Sequence, residues 1–165
     1  MTFHRVEFVL ELCREHLDKT GTRNTPIDSI LAAYACAVIY AAFEQRIGHL
    51  ILERATVETE DPETHSFARV TVKRLIRSIT VSELAGLASH FSSGCKERFR
   101  KKCTANGNAA WDAIVSNRHG LAHEDEDEGE HAQLSTLTFA DVERNFGDAV
   151  AVLAAFESAL APPAT

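Results

Sequence analysis

The feature that most constrains this chain is one long helical pattern in its N-terminal third. It begins with Thr25 in an N-cap position, Pro26 at the first helical position and Asp28 where a capping-box acid belongs. Apolar residues then recur at helical spacing to about Arg54. About 30 residues at roughly 1.5 Å each give a helix on the order of 45 Å, which is long for one small domain. Small residues along it favour close helix packing: Ala32, Ala33, Ala35, Ala37, Ala41 and Ala42.

Helical periodicity also dominates the rest of the sequence, and no segment alternates in the manner of a strand. A first helix is predicted from Phe3 to Leu17, with Gly21 just past its end as a left-handed cap. A basic amphipathic segment follows Thr64. Capping residues mark the starts of three further helices: Thr80 with Glu83, Ser92 or Ser93, and Thr138 with Asp141.

Three segments are predicted as breaks between helices. The stretch Thr56–Thr64 is polar, acidic and contains Pro62, so we expect a loop there. Asn106, Gly107 and Asn108 are expected to break the chain before a helix from Ala109 to about Leu121. A third loop is predicted over the acidic residues 124–130. These signals together predict an all-α domain over residues 1–160, an antiparallel bundle of about five to six helices, with a disordered tail over 161–165.

Composition restricts the classes of function. With 165 residues, 45% of them hydrophobic, the chain is the size of one ordinary globular domain. A net charge of -7 argues against sequence-blind binding of nucleic acid over a large surface, but a local RNA site needs only a few positive groups. The four cysteines form no C-x-x-C pair, which favours a reducing compartment.

The expected location is the cytoplasm, with no membrane contact. The N-terminus has no basic region followed by an apolar core, so we expect no signal peptide. The longest apolar stretch, around Ile30 to Ala42, is judged too short and too polar at its ends to span a bilayer.

Arg118 interrupts an apolar helical stripe. Trp111, Ile114 and Val115 share one face of the predicted helix, and Arg118 occupies the next position on that face. A guanidinium there cannot lose its proton and needs an anion or acceptors. One interpretation is a structural ion pair, with Glu44 on the long helix as the partner. The other is that Arg118 lines a cleft that receives a phosphate.

His123 follows Arg118 by five residues. Five steps of about 100° place it roughly 140° round a regular helix, so the two side chains do not meet within one undistorted helix. A second protomer could supply the missing partner. The plainer interpretation is a structural histidine that offsets the C-terminal dipole of the helix.

The string from Val115 to His123, V-S-N-R-H-G-L-A-H, resembles the Arg-x4-His signature of HEPN domains. It is most similar to the group described as RiboL-PSP-HEPN or MAE-type HEPN proteins. Tyr40–Glu44 on the long helix resembles that group's aromatic-Glu segment, and Leu134–Val142 resembles its C-terminal element. The similarity covers roughly Ile30 to Leu160, and it implies a HEPN-like helical bundle.

The resemblance implies a homodimeric, metal-independent endoribonuclease of toxin–antitoxin or phage-defence type that needs no cofactor. Arg118 would hold the scissile phosphate, and His123 would move the proton of the ribose 2′-OH. His119, Asn117 and Glu44 are expected to support them, with Glu44 orienting Arg118 or His119. The expected partners are an RNA substrate, a second copy of the chain, and a cognate antitoxin or associated defence protein.

The sequence departs from the family pattern in ways that favour an alternative, a non-catalytic HEPN binding or scaffold domain. His119 stands where the family commonly has Asn, and Asp125 stands where the subgroup modified on tyrosine has Tyr. The acidic run 124–128 would repel RNA and raise the pKa of His123, although a solvated loop is the favoured interpretation. His119 and His123 have the i, i+4 spacing of a zinc pair, but no third ligand is evident, and we expect no metal.

Two basic segments offset the acidic remainder of the chain. Solvated helix faces are the favoured interpretation, and a path for an RNA backbone leading to the cleft is the sharper one. The basic residues are Lys73, Arg74, Arg77, Lys96, Arg98, Arg100, Lys101 and Lys102.

Overall fold

A computed structural model describes residues 2–57, 60–76, 79–119 and 135–161. Seven helices and no strand occur in those ranges, so the all-α class is confirmed, with more helices than the expected five to six. The helices are α1 (His4–Thr20), α2 (Pro26–Thr56), α3 (Pro62–Leu75), α4 (Val81–Phe91), α5 (Ser93–Lys102), α6 (Ala105–His119) and α7 (Phe139–Leu160).

Helix α2 is the centre of the fold. It begins at Pro26 as predicted, runs for 31 residues, and packs against α1, α3, α6 and α7. Its length and composition alone would allow it to cross a membrane, contrary to the expectation that its apolar stretch is too short. In the structure 44% of that apolar window is buried inside the domain. Packing against four helices accounts for the buried part of this window, and the cytoplasmic location stays a prediction.

Asp28 joins the N-termini of α2 and α7. Its side chain is 3% exposed, and its two carboxylate oxygens accept hydrogen bonds from the backbone N–H groups of Asn24 (2.7 Å) and Phe139 (2.8 Å). Phe139 is the first residue of α7, so the carboxylate also faces the positive end of that helix dipole. The capping box predicted for Thr25 and Asp28 is not formed, because the Thr25 side chain makes no cap hydrogen bond and its hydroxyl donates to the carbonyl of Thr22. Asp28 instead joins the turn before α2 to the start of α7, 111 residues further along the chain.

The start of α6 differs from the prediction. Asn106–Gly107–Asn108 were expected to break the chain, whereas α6 already begins at Ala105. Thr104 makes the earlier start possible, because its side-chain oxygen accepts the Gly107 N–H at 3.0 Å. Gly107 serves packing here: a Cβ at this position would lie 3.0 Å from Val152 Cγ2 and 3.3 Å from the carbonyl oxygen of Asp148 on α7.

The predicted loop Thr56–Thr64 is also shorter in the structure, because α3 begins at Pro62. Asp61 caps it by accepting the N–H groups of Glu63 and Thr64, and proline suits the first helical position because it has no N–H to satisfy. Helix α3 lies against α2 with Val72 as its buried residue. Most of α3 is exposed, including Phe67, which is 72% exposed.

The remaining cap predictions in the described ranges are confirmed. Gly21 adopts a left-handed conformation (φ 66°), and its N–H bonds to the carbonyl of Leu17. Capping boxes or side-chain caps are present at Thr80 with Glu83, at Ser92, and at Thr138 with Asp141. The predicted acidic loop over 124–130 and the end of α6 near Leu121 lie outside the described residues. The domain limits 1–160 and the tail 161–165 stay predictions.

We predict that Asp28→Asn lowers the free energy of unfolding by about 2–4 kcal/mol, because an amide has one acceptor oxygen for two N–H groups, of which that of Phe139 is buried, and no charge for the α7 dipole. Urea denaturation followed by far-UV circular dichroism measures this. Asp18→Asn is the control, since Asp18 forms an exposed ion pair with Arg23 that solvent screens, and its loss should have little effect. Equal, small effects of the two substitutions would contradict the bridging role of Asp28.

Candidate functional site

Arg118 lies in the last turn of the described part of α6, at the edge of the core. Trp111, Ile114 and Val115 on the same helix are buried, whereas the Arg118 side chain is 29% exposed. Its Nη1 lies 3.2 Å from Oε1 of Glu44 on α2, in a part-buried ion pair. The apolar stripe therefore predicted correctly that this guanidinium needs a partner, and Glu44 provides it.

Tyr40 gives Arg118 a second contact. The guanidinium carbon of Arg118 lies 4.4 Å from the centroid of the Tyr40 ring, which is within the range of a cation–π interaction. Tyr40 and Glu44 stand one helical turn apart on α2, so the ring and the carboxylate hold the guanidinium from neighbouring positions. From the sequence, Tyr40 was included in the segment that resembles the aromatic-Glu element, but a role was predicted for Glu44 alone. The i, i+4 spacing of the two residues was the signal that could have identified Tyr40.

The backbone N–H and carbonyl groups of Ile79 connect α2 and α6 near Arg118. The Ile79 N–H donates to the hydroxyl of Tyr40 from α2, and the Ile79 carbonyl accepts the indole N–H of Trp111 from α6 at 2.8 Å. Phe43 on α2 stacks on Trp111, with ring centroids 4.9 Å apart and an interplanar angle of 7°. We call this arrangement of Ile79, Tyr40 and Trp111 the Ile79 clamp. It sets the register in which Arg118 meets Glu44.

Burial keeps the Tyr40 hydroxyl protonated. Removal from solvent raises the pKa of Tyr40 to about 12, and the negative charge of Glu44 acts in the same direction. The bond from Ile79 N–H and the charge of Arg118 oppose this rise in pKa only in part. The ring is therefore a neutral platform for the guanidinium at ordinary pH, and Glu44 is the charged partner.

Asn117 has a structural task. Its amide nitrogen donates to the carbonyl of Ala113 at 2.8 Å. Its amide oxygen accepts from the Ser135 hydroxyl at 2.9 Å and from the Thr136 N–H at 3.0 Å. Asn117 was expected to support the reacting groups. In the structure it joins the end of α6 to the segment that leads into α7, and so brings the two sides of residues 120–134 together.

The predicted site is thus described in part. Arg118 and Glu44 are in contact, and Asn117 precedes Arg118 on α6. The backbone of His119 belongs to α6. His123, Gly120, Asp125 and the acidic run lie outside the described residues, so the roles assigned to them stay predictions.

A groove of about 410 Å³ opens beside this pair, between α2 and α3. Glu44 lines the groove while also contacting Arg118. Within ranges 2–57, 60–76, 79–119 and 135–161, no group of three or more His, Cys, Asp or Glu side chains is arranged to hold a metal ion. The conceivable His119–His123 metal pair includes a residue outside those ranges.

Comparison with known protein families, with curated proteins and with solved structures gives no match for this chain. The resemblance of residues 115–123 to the HEPN signature therefore stays a prediction, and the chemistry of the site is argued from its own residues.

We predict that Tyr40→Phe lowers the free energy of unfolding by about 1–3 kcal/mol at neutral pH, because the buried N–H of Ile79 loses its acceptor. The deficit should shrink at high pH. Unfolded tyrosine ionises near pH 10 and folded Tyr40 near pH 12, so the wild type alone loses this part of its stability as the pH rises between the two values.

Urea denaturation of both proteins, in steps from neutral pH to about pH 11, measures this difference. Burial also raises the pKa of Cys36 to about 12, but that thiol is present in both proteins and cancels in the comparison. A deficit that stays constant with pH would contradict the raised pKa of Tyr40. No deficit at neutral pH would contradict the Ile79 clamp.

Proposed function

We propose that this chain is a metal-independent endoribonuclease of HEPN type, in which Arg118 and His123 act on one phosphodiester in a homodimeric site. The resemblance of residues 115–123 to the Arg-x4-His signature supports the assignment. The all-helical fold is compatible with it. The expected setting is a toxin–antitoxin or phage-defence system in the cytoplasm, with an antitoxin or defence protein as partner.

The exposure and anchoring of Arg118 carry the proposal. A guanidinium has five N–H donors in a fixed plane, and Glu44 accepts one hydrogen bond at 3.2 Å. The side chain keeps 29% of its surface exposed, so donors remain available on the solvent side. Because Glu44 and Tyr40 already hold the guanidinium, little conformational freedom is left to lose when it binds a phosphate.

The proposed reaction uses the ribose 2′-OH as the nucleophile. His123 removes its proton, the 2′ oxygen attacks phosphorus, and the bond from phosphorus to the 5′ oxygen breaks. Arg118 stabilises the charge that develops on the phosphate oxygens. The leaving 5′ oxygen takes up a proton, for which His119 is the candidate in this chain. The products are a 2′,3′-cyclic phosphate and a 5′-OH, and DNA is not a substrate because it lacks the 2′-OH.

The alternative function is a non-catalytic HEPN domain that binds a partner or serves as a scaffold. The observation in its favour is that Glu44 already neutralises the charge of Arg118. In that case the pair has only a structural role, and losing either residue changes stability without changing any RNA.

We predict that the purified protein cleaves single-stranded RNA in the presence of EDTA and leaves 2′,3′-cyclic phosphate ends. Arg118→Ala and His123→Ala should each lower the cleavage rate by about 10²–10⁴. The cleavage rate of Arg118→Lys should lie between those of these two variants and that of the wild type, because lysine keeps the charge but lacks the planar set of N–H donors. Gel analysis of labelled RNA with end-group identification gives these rates.

Arg14→Ala is the matched control for this experiment. Arg14 lies on α1 and is also a surface arginine in an ion pair, with Glu143 of α7. The Arg14→Ala protein should cleave RNA at the rate of the wild type. Wild-type protein that leaves RNA intact, or Arg118→Ala protein that cleaves as fast as Arg14→Ala protein, would refute the nuclease and favour the scaffold alternative.

We also predict that mixing Arg118→Ala with His123→Ala protein restores activity. Suppose that each site takes its arginine from one subunit and its histidine from the other. Random mixing then makes about half of all dimers heterodimers, and each heterodimer has one intact site out of two, which gives about a quarter of wild-type activity. Sites formed within one subunit would give no recovery. A monomeric mass by light scattering at micromolar concentration would equally exclude the two-subunit site.

A further inference from the structure

The groove between α2 and α3 has two kinds of surface. Its floor is apolar, with Val72 of α3 at 7% exposure, Ile76 just after the end of α3 at 9% exposure, and Leu52 of α2 beside them. Gly48 leaves the α2 side of the floor without a side chain, and a Cβ there would lie 3.2 Å from Ile76 Cδ1. The volume of about 410 Å³ is within the range of pockets that hold small organic ligands.

Two exposed cations line the groove. Arg69 and Lys73 stand at i and i+4 on α3, and both line the groove and are exposed. In the described part of the chain, neither side chain forms an ion pair or hydrogen bond, whereas Arg14, Arg23 and Arg46 are each paired with a carboxylate. Two such cations above an apolar floor are complementary to a nucleotide, in which a negatively charged phosphate is attached to a base with an apolar face.

The groove and the Arg118 site share the residue Glu44. Glu44 lines one end of the groove and pairs with Arg118, while Leu52 lies two turns further along α2, about 12 Å from Glu44 at 1.5 Å per residue. Because Arg118 balances the charge of Glu44, the uncompensated charge beside the pair comes from Lys73 and Arg69. A strand whose scissile phosphate lies on Arg118 would therefore find further cations along this groove.

We propose that the α2–α3 groove binds the nucleotide next to the scissile phosphodiester of a single-stranded RNA, with its phosphate on Arg69 and Lys73 and its base against the apolar floor. The strand must be single-stranded, because a paired base cannot turn its face into a groove. The inference rests on the proposed function for the choice of RNA as ligand. It adds a substrate-binding site on α3, a helix that the Arg-x4-His motif does not include.

The test measures binding separately from cleavage. Fluorescence anisotropy of a labelled oligouridylate of about eight nucleotides is recorded at several salt concentrations with His123→Ala protein, which keeps Arg118 but should not degrade the probe. Adding Arg69→Gln and Lys73→Gln should weaken binding about tenfold or more at low salt. The slope of log affinity against log salt should fall by about 1.4, the value for two lost phosphate contacts on a single strand.

The control carries Arg100→Gln and Lys101→Gln, which remove the same two charges from exposed positions in the last turn of α5. It should keep the affinity and salt slope of its parent. An oligomer of the same length without bases should bind the parent about fivefold more weakly or worse, because the floor then has no base to contact.

The outcomes separate this inference from the proposed function. RNA binding that depends on Arg69 and Lys73, without any cleavage by the wild type, would support the groove and refute the nuclease. Cleavage by the wild type, with equal affinities and salt slopes for the α3 and α5 double variants, would support the nuclease and overturn the groove as a substrate site.

Discussion

The geometry of the site depends on how Ile79 is held. The polar backbone groups of this buried residue are bonded by side chains from two helices, Tyr40 of α2 and Trp111 of α6. An unpaired buried N–H or carbonyl costs about 1–3 kcal/mol, so a slip of α6 along α2 would be opposed at both groups at once. The same register brings Arg118 over the ring of Tyr40 and beside Glu44. The same packing of α6 against α2 therefore determines both the core and the geometry of the candidate site.

Local signals predicted most helix starts correctly, and the failures have a common cause. Caps such as Thr80 with Glu83 are visible in the sequence because their hydrogen bonds join residues three apart. Pro62 and Gly107 were interpreted as breakers from their intrinsic preferences. Pro62 instead occupies the one helical position that needs no N–H, and Gly107 allows α6 to approach α7 closely. The second reason depends on Val152, which no local pattern connects to Gly107.

The site was predictable to a similar extent. A charge in an apolar stripe requires a partner, and Glu44 was one of the two partners predicted for Arg118, the other being a phosphate. The structure shows the Glu44–Arg118 contact across 74 residues of sequence. The cation–π contact with Tyr40 and the Ile79 clamp were not found, because they depend on the crossing of α2 and α6. The task of Asn117 was missed for the same reason: its acceptor oxygen serves Ser135 and Thr136, which fold back onto α6.

An ion pair at a candidate phosphate site raises an electrostatic question, because Glu44 would repel the anion that Arg118 is proposed to bind. Part of the answer is geometric, since a guanidinium can bond a carboxylate with one nitrogen and present others to a second anion. The rest depends on surrounding charge. The charges of Arg118 and Glu44 alone sum to zero, whereas Arg69 and Lys73 on the adjoining groove add two positive charges that form no ion pair within the described residues. Helix α3 would then make the field at the pair favourable to phosphate, and Glu44 could orient Arg118 without excluding the substrate.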